Sequence, residues 1–247
     1  MSSWPPPPPQ PQPTPRRRVD PRWLTIIVLA VIVLIVLDRQ HRIHISSFEI
    51  LYFLAVIPSV IIHEISHGWV ALACGDDTAK RAHRLTLNPL PHISIYGTVI
   101  VPAVLVLSGF PAFGWAKPVP VNLSRLRHPR NQAVLVGLVG PLTNIILAVI
   151  FGLIFALTVS ATTKGSVYAF DYYAGASGIA PPSIAVQYLF FLAYVNVILA
   201  VFNLIPIPPL DGSSVLDRLL PRSWLSGYLS IRPYTIFLPF LLIWLAP

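Results

Sequence analysis

Long runs of apolar residues, separated by short polar and basic stretches, dominate the chain. The runs cover 23–37, 48–73, 95–110, 132–159, 184–205 and 224–246. About 20 apolar residues are needed for one helix to cross the hydrocarbon core, and most of these runs approach or exceed that length. The pattern therefore predicts an all-α polytopic membrane protein with about five transmembrane helices.

The run at 95–110 differs from the others because it is short for a span and carries Gly97, Pro102 and Gly109. Non-helical backbone is tolerated at membrane depth only where protein buries it or where it lines a wet cavity. We therefore predict a re-entrant or peripheral segment at 95–110. In the surrounding residues 74–122, which are rich in proline and glycine, we expect short β-like pieces by analogy of fold alone.

Residues 1–22 consist largely of proline, glutamine and arginine and contain too little apolar surface to fold. They predict a disordered Pro-rich tail, which leaves 23–247 as a single membrane-embedded domain. Two interpretations of the tail stay open: a solvated spacer, which we favour, and a docking site for an SH3-like partner. The run at 23–37 is interpreted as a retained anchor, because charged residues and no small-residue cleavage site follow it.

Composition excludes several classes of protein. Hydrophobic residues make up 55% of the chain and charged residues 11%, whereas charged residues are about 25% of soluble domains. The single cysteine excludes an internal disulfide and a cysteine-based metal cluster. The net charge is +8. Its Lys and Arg residues lie mostly between the apolar runs, where basic residues determine the orientation of membrane helices. We therefore expect contact with membrane lipid and none with nucleic acid.

Three ionisable or metal-binding side chains, His63, Glu64 and His67, interrupt the otherwise apolar run at 48–73. A charged residue at the bilayer centre costs at least about 2.5–3.5 kcal/mol, so this cluster needs a compensating interaction. In a helix the two histidines project from one face, one turn apart, as two ligands of one zinc require. Glu64 can then take a proton from the bound water. The alternative is a chance H-E-x-x-H whose histidines are hydrogen-bonded in a helix bundle.

Two histidines and a water leave one coordination position for a third protein ligand. Asp211 stands out because it ends a run that is broken by three prolines, and such a break can turn a carboxylate inward. The alternative is an ordinary Leu-Asp-Gly turn at the membrane surface. The other acids and histidines after His67 are Asp76, Asp77, Asp171, Asp217, His83, His92 and His128.

Together, the H-E-x-x-H-G motif at 63–68 and the N-x-x-P-x-P-x-L-D-G motif at 203–212 resemble the site-2 protease family of intramembrane zinc metalloproteases. The G-P-x-x-N element at 140–144 resembles the same family. Residues 74–131, with Leu-Thr-Leu-Asn-Pro at 85–89, are similar to a compact bacterial and archaeal branch without PDZ or CBS domains. The resemblance covers about 48–220. This sequence departs from the branch at 92–95, where it has His-Ile-Ser-Ile and the resemblance leads us to expect His-Ile-Asp-Pro.

The resemblance implies that His63, His67 and Asp211 bind one Zn²⁺, and that Glu64 is the general base that activates the zinc-bound water. It also implies that Asn144 orients substrate or helps to stabilise an oxyanion, although a helix-packing role for this asparagine stays open. His92 is a further group that could support the site from outside it. The implied function is hydrolysis of peptide bonds in or near the transmembrane segments of single-span membrane proteins.

Two other classes of function fit parts of this pattern: a metal transporter and a catalytically inactive zinc-binding scaffold. A transporter needs ionisable residues on several helices along a path, whereas here they form one three-ligand set. An inactive scaffold has no need of a general base, and Glu64 is present. We therefore favour the protease.

The basic residues predict the orientation in the membrane. If 95–110 does not cross, the cytoplasmic segments carry thirteen Lys and Arg and the outer segments three, whereas a crossing would leave eight on each side. Lys and Arg are enriched on the cytoplasmic side of membranes. We expect a multi-pass protein of a prokaryotic plasma membrane, with its N-terminus and active site toward the cytoplasm. The cytoplasmic segments are 1–22, 74–131 and 206–223, and the outer ones are 38–47 and 160–183.

Overall fold

The computed structural model describes residues 47–101, 104, 115–163 and 183–230, which are mostly helical. Single turns of 3₁₀-helix lie at Leu90–His92 and Leu123–Arg125, and a turn of π-helix lies at Ile95–Ile100. The α-helices are α1 (Ser47–Ala73), α2 (Thr78–Arg81), α3 (Pro129–Thr163), α4 (Ile184–Leu204), α5 (Ser213–Leu219) and α6 (Arg222–Ser230).

Three of these helices are long and apolar enough to cross a membrane. The candidate spans are Ile50–Ala73, Pro129–Val159 and Ile184–Leu204, which correspond to three of the predicted apolar runs. The run at 23–37 and most of the run at 224–246 lie outside the described residues. The membrane character is therefore confirmed, while the count of about five spans stays a prediction.

The long helices α1, α3 and α4 pack against one another. Between α1 and α4 the core consists of small and large apolar side chains, among them Ala55, Phe191 and Val195. Much of α3 keeps its apolar side chains exposed, including Leu153 and Leu157. Such a surface is normal where lipid replaces water as the solvent.

Polar contacts also join α1 to α4 within the apolar layer. Pro58 has no N–H, so the Leu54 carbonyl loses its helical partner and instead accepts a hydrogen bond from the Tyr188 hydroxyl at 3.1 Å. One residue further on, Ser59 accepts a buried hydrogen bond from Asn196 Nδ2 at 2.8 Å. The proline is thereby tolerated inside a spanning helix, because a neighbouring helix satisfies the carbonyl that it frees.

The two ends of the stretch between Gly97 and Trp115 lie side by side. The Trp115 N–H donates to the Gly97 carbonyl at 3.0 Å, and the Thr98 hydroxyl donates to the Trp115 carbonyl at 3.0 Å. A Cβ at position 97 would lie 2.5 Å from the Trp115 carbonyl oxygen, so this approach requires glycine. Most of the residues between these ends lie outside the described part. The adjacent ends are what a segment that returns to its own side requires, and the re-entrant or peripheral segment at 95–110 stays a prediction.

The β-like pieces expected in 74–122 are not confirmed, since none of its described residues forms a strand. Residues 115–122 have no helical turns, but the N–H groups that are bonded, those of Trp115, Lys117, Val119 and Asn122, have separate partners and not a neighbouring strand. Lys117 donates to a carbonyl in the 3₁₀ turn, and Asn122 donates to a buried carboxylate. Two prolines in the segment also remove donors that a strand ladder would need.

Candidate metal centre

Three potential ligand atoms meet between α1 and the loop that follows α4. Asp211 Oδ2 lies 3.0 Å from His63 Nε2 and 3.3 Å from His67 Nε2. The two Nε2 atoms are 3.1 Å apart. Both histidines are buried and Asp211 is half-buried. This is the group of His, Cys, Asp and Glu side chains in the described part of the chain that is close enough to hold a metal ion.

The spacing of these atoms fits a zinc ion. Zinc binds nitrogen and carboxylate oxygen at about 2.0–2.2 Å, so neighbouring ligands of a tetrahedral site are about 3.3 Å apart. The three observed separations of 3.0, 3.1 and 3.3 Å agree with that value. Three protein ligands leave the fourth position open, which is the arrangement of catalytic zinc sites.

The helical period of α1 brings the two histidines together. His63 and His67 are four residues apart, and their ring centroids lie 4.7 Å from each other. The second ring nitrogen of His67 contacts the Val136 carbonyl oxygen of α3 at 2.5 Å. Such a contact fixes both the tautomer and the orientation of a metal-binding histidine. The predicted common face of these two residues is confirmed.

A folded-back loop brings Asp211 to the histidines. The prolines at 206, 208 and 209 end the helical ladder of α4, and the Gly212 N–H then donates to the Asn203 carbonyl at 2.7 Å. A Cβ on Gly212 would lie 2.3 Å from the Leu204 carbonyl oxygen, so only glycine allows this return. Asp211, the residue before it, therefore turns inward, as the proline break predicted.

Two glycines of α3, one turn apart, form a flat surface beneath the site. A Cβ on Gly140 would lie 2.4 Å from His67 Nε2 and 2.5 Å from His63 Cε1. A Cβ on Gly137 would lie 3.1 Å from the Asp211 carbonyl oxygen. Helix α3 therefore approaches both ligand-bearing elements through backbone. The resemblance included Gly140 in a motif, but nothing in the sequence pointed to its contact with the histidines.

Glu64 lies beside the ligands without joining them. It is half-buried, and its Oε2 accepts a hydrogen bond from the Val119 N–H at 2.8 Å. This contact joins α1 to the extended residues before α3. Sequence reasoning missed Val119, because a contact through the backbone N–H leaves no signal in the type of side chain.

Asn144 lies one turn after Gly140 on α3 and is completely buried. Neither of its side-chain polar atoms has a hydrogen-bond partner among the described residues. Helical side chains lean toward the N-terminus, so the amide leans toward the turn of Gly140 that touches the histidines. A buried amide without a partner costs about 1–3 kcal/mol, a cost that a bound group next to Asn144 would offset.

His92 and Ser94 stabilise the connection between α2 and α3 outside the ligand group. The buried ring of His92 lies 3.0 Å from the Thr86 carbonyl oxygen through Nε2. Burial lowers the pKa of His92, so the ring is neutral at neutral pH. Ser94, where the resemblance led us to expect an acid, accepts a hydrogen bond from the Gly97 N–H and caps the π-helical turn.

The remaining candidate ligands are not in this group. Asp77 forms ion pairs with Arg81 and Arg125, and Asp76 accepts hydrogen bonds from Thr78 and Asn122. Asp171 lies outside the described residues. His83, His128 and Asp217 are described but are not part of the three-ligand group.

Comparison with known proteins places the chain in a family. The model of peptidase family M50 matches residues 51–231. "Putative zinc metalloprotease YwhC" of Bacillus subtilis (strain 168) is 34% identical over 194 residues, which are 78% of this chain and 80% of the relative. "Putative zinc metalloprotease Rip2" of Mycolicibacterium smegmatis (strain ATCC 700084 / mc(2)155) is 28% identical over 208 residues, 82% of this chain and 72% of the relative. No solved structure matches. The chain therefore belongs to peptidase family M50, the site-2 protease family, and is a membrane metalloprotease of a family that implies zinc.

Proposed function

We propose that this metalloprotease hydrolyses peptide bonds in or near the transmembrane segments of single-span membrane proteins. The observation that carries the proposal is the convergence of His63, His67 and Asp211 within 3.3 Å beside a membrane-spanning helix. A peptide bond in lipid has no access to water, so an enzyme acting there needs its own polar, hydrated site. The three ligands and Glu64 supply such a site next to the apolar layer.

The proposed ligands of a single zinc ion are His63, His67 and Asp211. When bound, zinc supplies a Lewis acid that polarises the scissile carbonyl and lowers the pKa of water. The Val136 carbonyl holds the ring of His67 in position. The glycine surface of α3 leaves space for the ion beside the rings, where any larger residue would fill it.

Glu64 is the proposed general base. Its carboxylate accepts a proton from the attacking water, whose oxygen forms the new bond to the carbonyl carbon. It then donates that proton to the departing amine as the C–N bond breaks. The Val119 N–H binds one carboxylate oxygen and leaves the other for this transfer.

Asn144 is proposed to orient the peptide or its developing oxyanion. The support is its amide, which has no partner among the described residues and lies one turn from Gly140. An amide donor at such a place would bind a carbonyl oxygen more tightly as negative charge develops on it.

The proposed setting is the plasma membrane of a prokaryote, with the N-terminus and the active site toward the cytoplasm. The distribution of Lys and Arg supports this orientation. The Pro-rich tail, residues 1–22, would then lie in the cytoplasm, where it could meet a docking partner.

Comparison of purified wild type with Glu64→Gln tests this function. We expect the variant to keep its zinc, because the three ligands are unchanged, and to lose cleavage of a model single-span substrate. Zinc is measured by mass spectrometry and cleavage by the appearance of product fragments in proteoliposomes. Undiminished cleavage by the variant would exclude Glu64 as the base.

Ligand variants provide the matched comparison. His63→Ala, His67→Ala and Asp211→Ala should each lose both bound zinc and activity, since each removes one of three protein ligands. Full zinc occupancy in Asp211→Ala would show that another residue is the third ligand. Zinc binding in the wild type with no cleavage of any membrane substrate would favour the inactive scaffold.

A further inference from the structure

The buried guanidinium of Arg84 donates hydrogen bonds to backbone carbonyls and not to an acidic side chain. Its residue exposure is 7%, and it makes no ion pair with any acid in the described part of the chain. Its Nη2 donates to the Lys117 carbonyl at 2.6 Å and to the Pro118 carbonyl at 3.3 Å. Burying a guanidinium is costly, so the position of these two carbonyls matters to the fold or to the site.

The segment that Arg84 holds leads directly to Glu64. Val119 follows the two bound carbonyls, and its N–H donates to Glu64 Oε2 at 2.8 Å. Prolines precede and follow Val119, so this N–H has no neighbouring donor to compete with it. The prolines also restrict the backbone on both sides, which holds the donor in one direction.

The same segment is anchored to the rest of the 74–122 connection. The Lys117 N–H donates to the carbonyl of the buried His92 at 2.8 Å, while the Lys117 carbonyl accepts from Arg84. Helix α1 allows the close approach through Gly68, where a Cβ would lie 3.0 Å from Val119 Cγ1. Hydrogen bonds thus connect Arg84, through the backbone up to the Val119 N–H, with the carboxylate of Glu64.

We propose that Arg84 is a positioning residue that orients Glu64 through the backbone of residues 117–119. Glutamate has three rotatable side-chain bonds, and a general base acts only when its free oxygen reaches the proton. The Val119 N–H fixes one oxygen, and Arg84 fixes the peptide that carries this N–H. The inference rests on the proposed function, in which Glu64 is the base.

The first test separates this role from metal binding. Arg84→Met and Val119→Pro should lower kcat by about 10- to 100-fold, because a displacement of about 1 Å at a catalytic group has effects of that size. Zinc content per folded protein should stay at the wild-type value, and KM should change much less than kcat. Arg84→Lys, which keeps a cation and a donor, should recover part of the lost kcat.

Val121→Pro is the matched control, because it also removes an N–H from the extended segment. The N–H of Val121 has no hydrogen-bond partner among the described residues. We expect this variant to keep wild-type kcat. Equal losses in Val119→Pro and Val121→Pro would overturn the proposal, since they would reflect damage to the segment as a whole.

Hydrogen exchange gives a readout that needs no activity. Arg84→Met should speed exchange at the amides of Lys117 and Val119, whereas Glu64→Ala should speed it at Val119 and leave Lys117 protected. Wild-type protection of Val119 in Glu64→Ala would overturn the proposal even if Arg84 variants unfold. Cleavage by Glu64→Gln would instead overturn the proposed function, so the two failures are distinct.

Discussion

At Gly140 only a hydrogen atom separates helix α3 from the two histidines of the proposed metal site. We predict that Gly140→Ala lowers zinc content several-fold, because the new methyl would lie 2.4 Å from His67 Nε2 and must push the ring away. The measurement is zinc per protein after dialysis against a weak chelator. Gly152→Ala on the same helix is the control, since its nearest neighbour would be 4.0 Å away. Full zinc occupancy in Gly140→Ala would contradict the packing described here.

Asn144 tests whether a buried polar group is retained for function. We predict that Asn144→Leu keeps or raises the unfolding midpoint while lowering turnover, because it removes a buried amide that has no partner among the described residues. Relief of such a group is worth about 1–3 kcal/mol. Thermal unfolding and cleavage are measured on the same preparation. A variant that unfolds at lower temperature and cleaves normally would make Asn144 a packing residue.

Among the elements, the turn after α1 depends on one buried carboxylate. Asp76 accepts hydrogen bonds from the Thr78 N–H and hydroxyl and from the Asn122 N–H, and so ties the start of α2 to the segment before α3. Burial alone would raise the pKa of Asp76, but these hydrogen bonds and the charge of Arg125 outweigh it and lower the pKa below its ordinary value.

We predict that Asp76→Asn lowers the free energy of unfolding at pH 7 by about 2 kcal/mol, the typical contribution of a hydrogen bond to a charged group. Because the folded-state pKa is lowered, this stabilisation is present above the unfolded pKa of about 3.9 and is lost as pH falls through the folded value. Denaturant titrations in detergent at pH 7 and pH 3 measure the effect. Asp77→Asn is the control, since solvent screens its partly exposed ion pairs with Arg81 and Arg125, which should contribute much less. An equal loss for Asp76→Asn at both pH values would refute the ionic explanation.

For the whole molecule, the contact between His67 and Asp211 restricts the membrane topology. His67 and Asp211 meet, so we expect the chain to cross the membrane an even number of times between them, and the candidate spans α3 and α4 would supply two crossings. We predict that single cysteines at Thr78 and Ser124, in a Cys74→Ser background, react with a membrane-impermeant maleimide from the same side. A cysteine at Ser177 should react from the other side. Labelling of positions 78 and 124 from opposite faces would show that 95–110 crosses.

Sequence reasoning succeeded where one repeating rule determines the structure. The period of a helix placed His63 and His67 on one face, and a run of prolines marked the turn that carries Asp211. It did not find Arg84, Val119 or the glycine surface of α3, because these depend on how separate elements approach in space. The β-like pieces were expected by analogy of fold, but proline and side-chain acceptors leave no strand ladder among the described residues of that connection.

The order of the ligands along the chain has a consequence for biosynthesis. Two of the proposed ligands, His63 and His67, lie on the first described span. The third, Asp211, follows the last described span, so the ribosome must make all three spans before Asp211 exists. Until then the partial site consists of His63, His67 and Glu64 and lacks its third proposed ligand. In the proposed function, a nascent chain therefore has no complete metal site, and no protease activity, until its three described spans and Asp211 have been made.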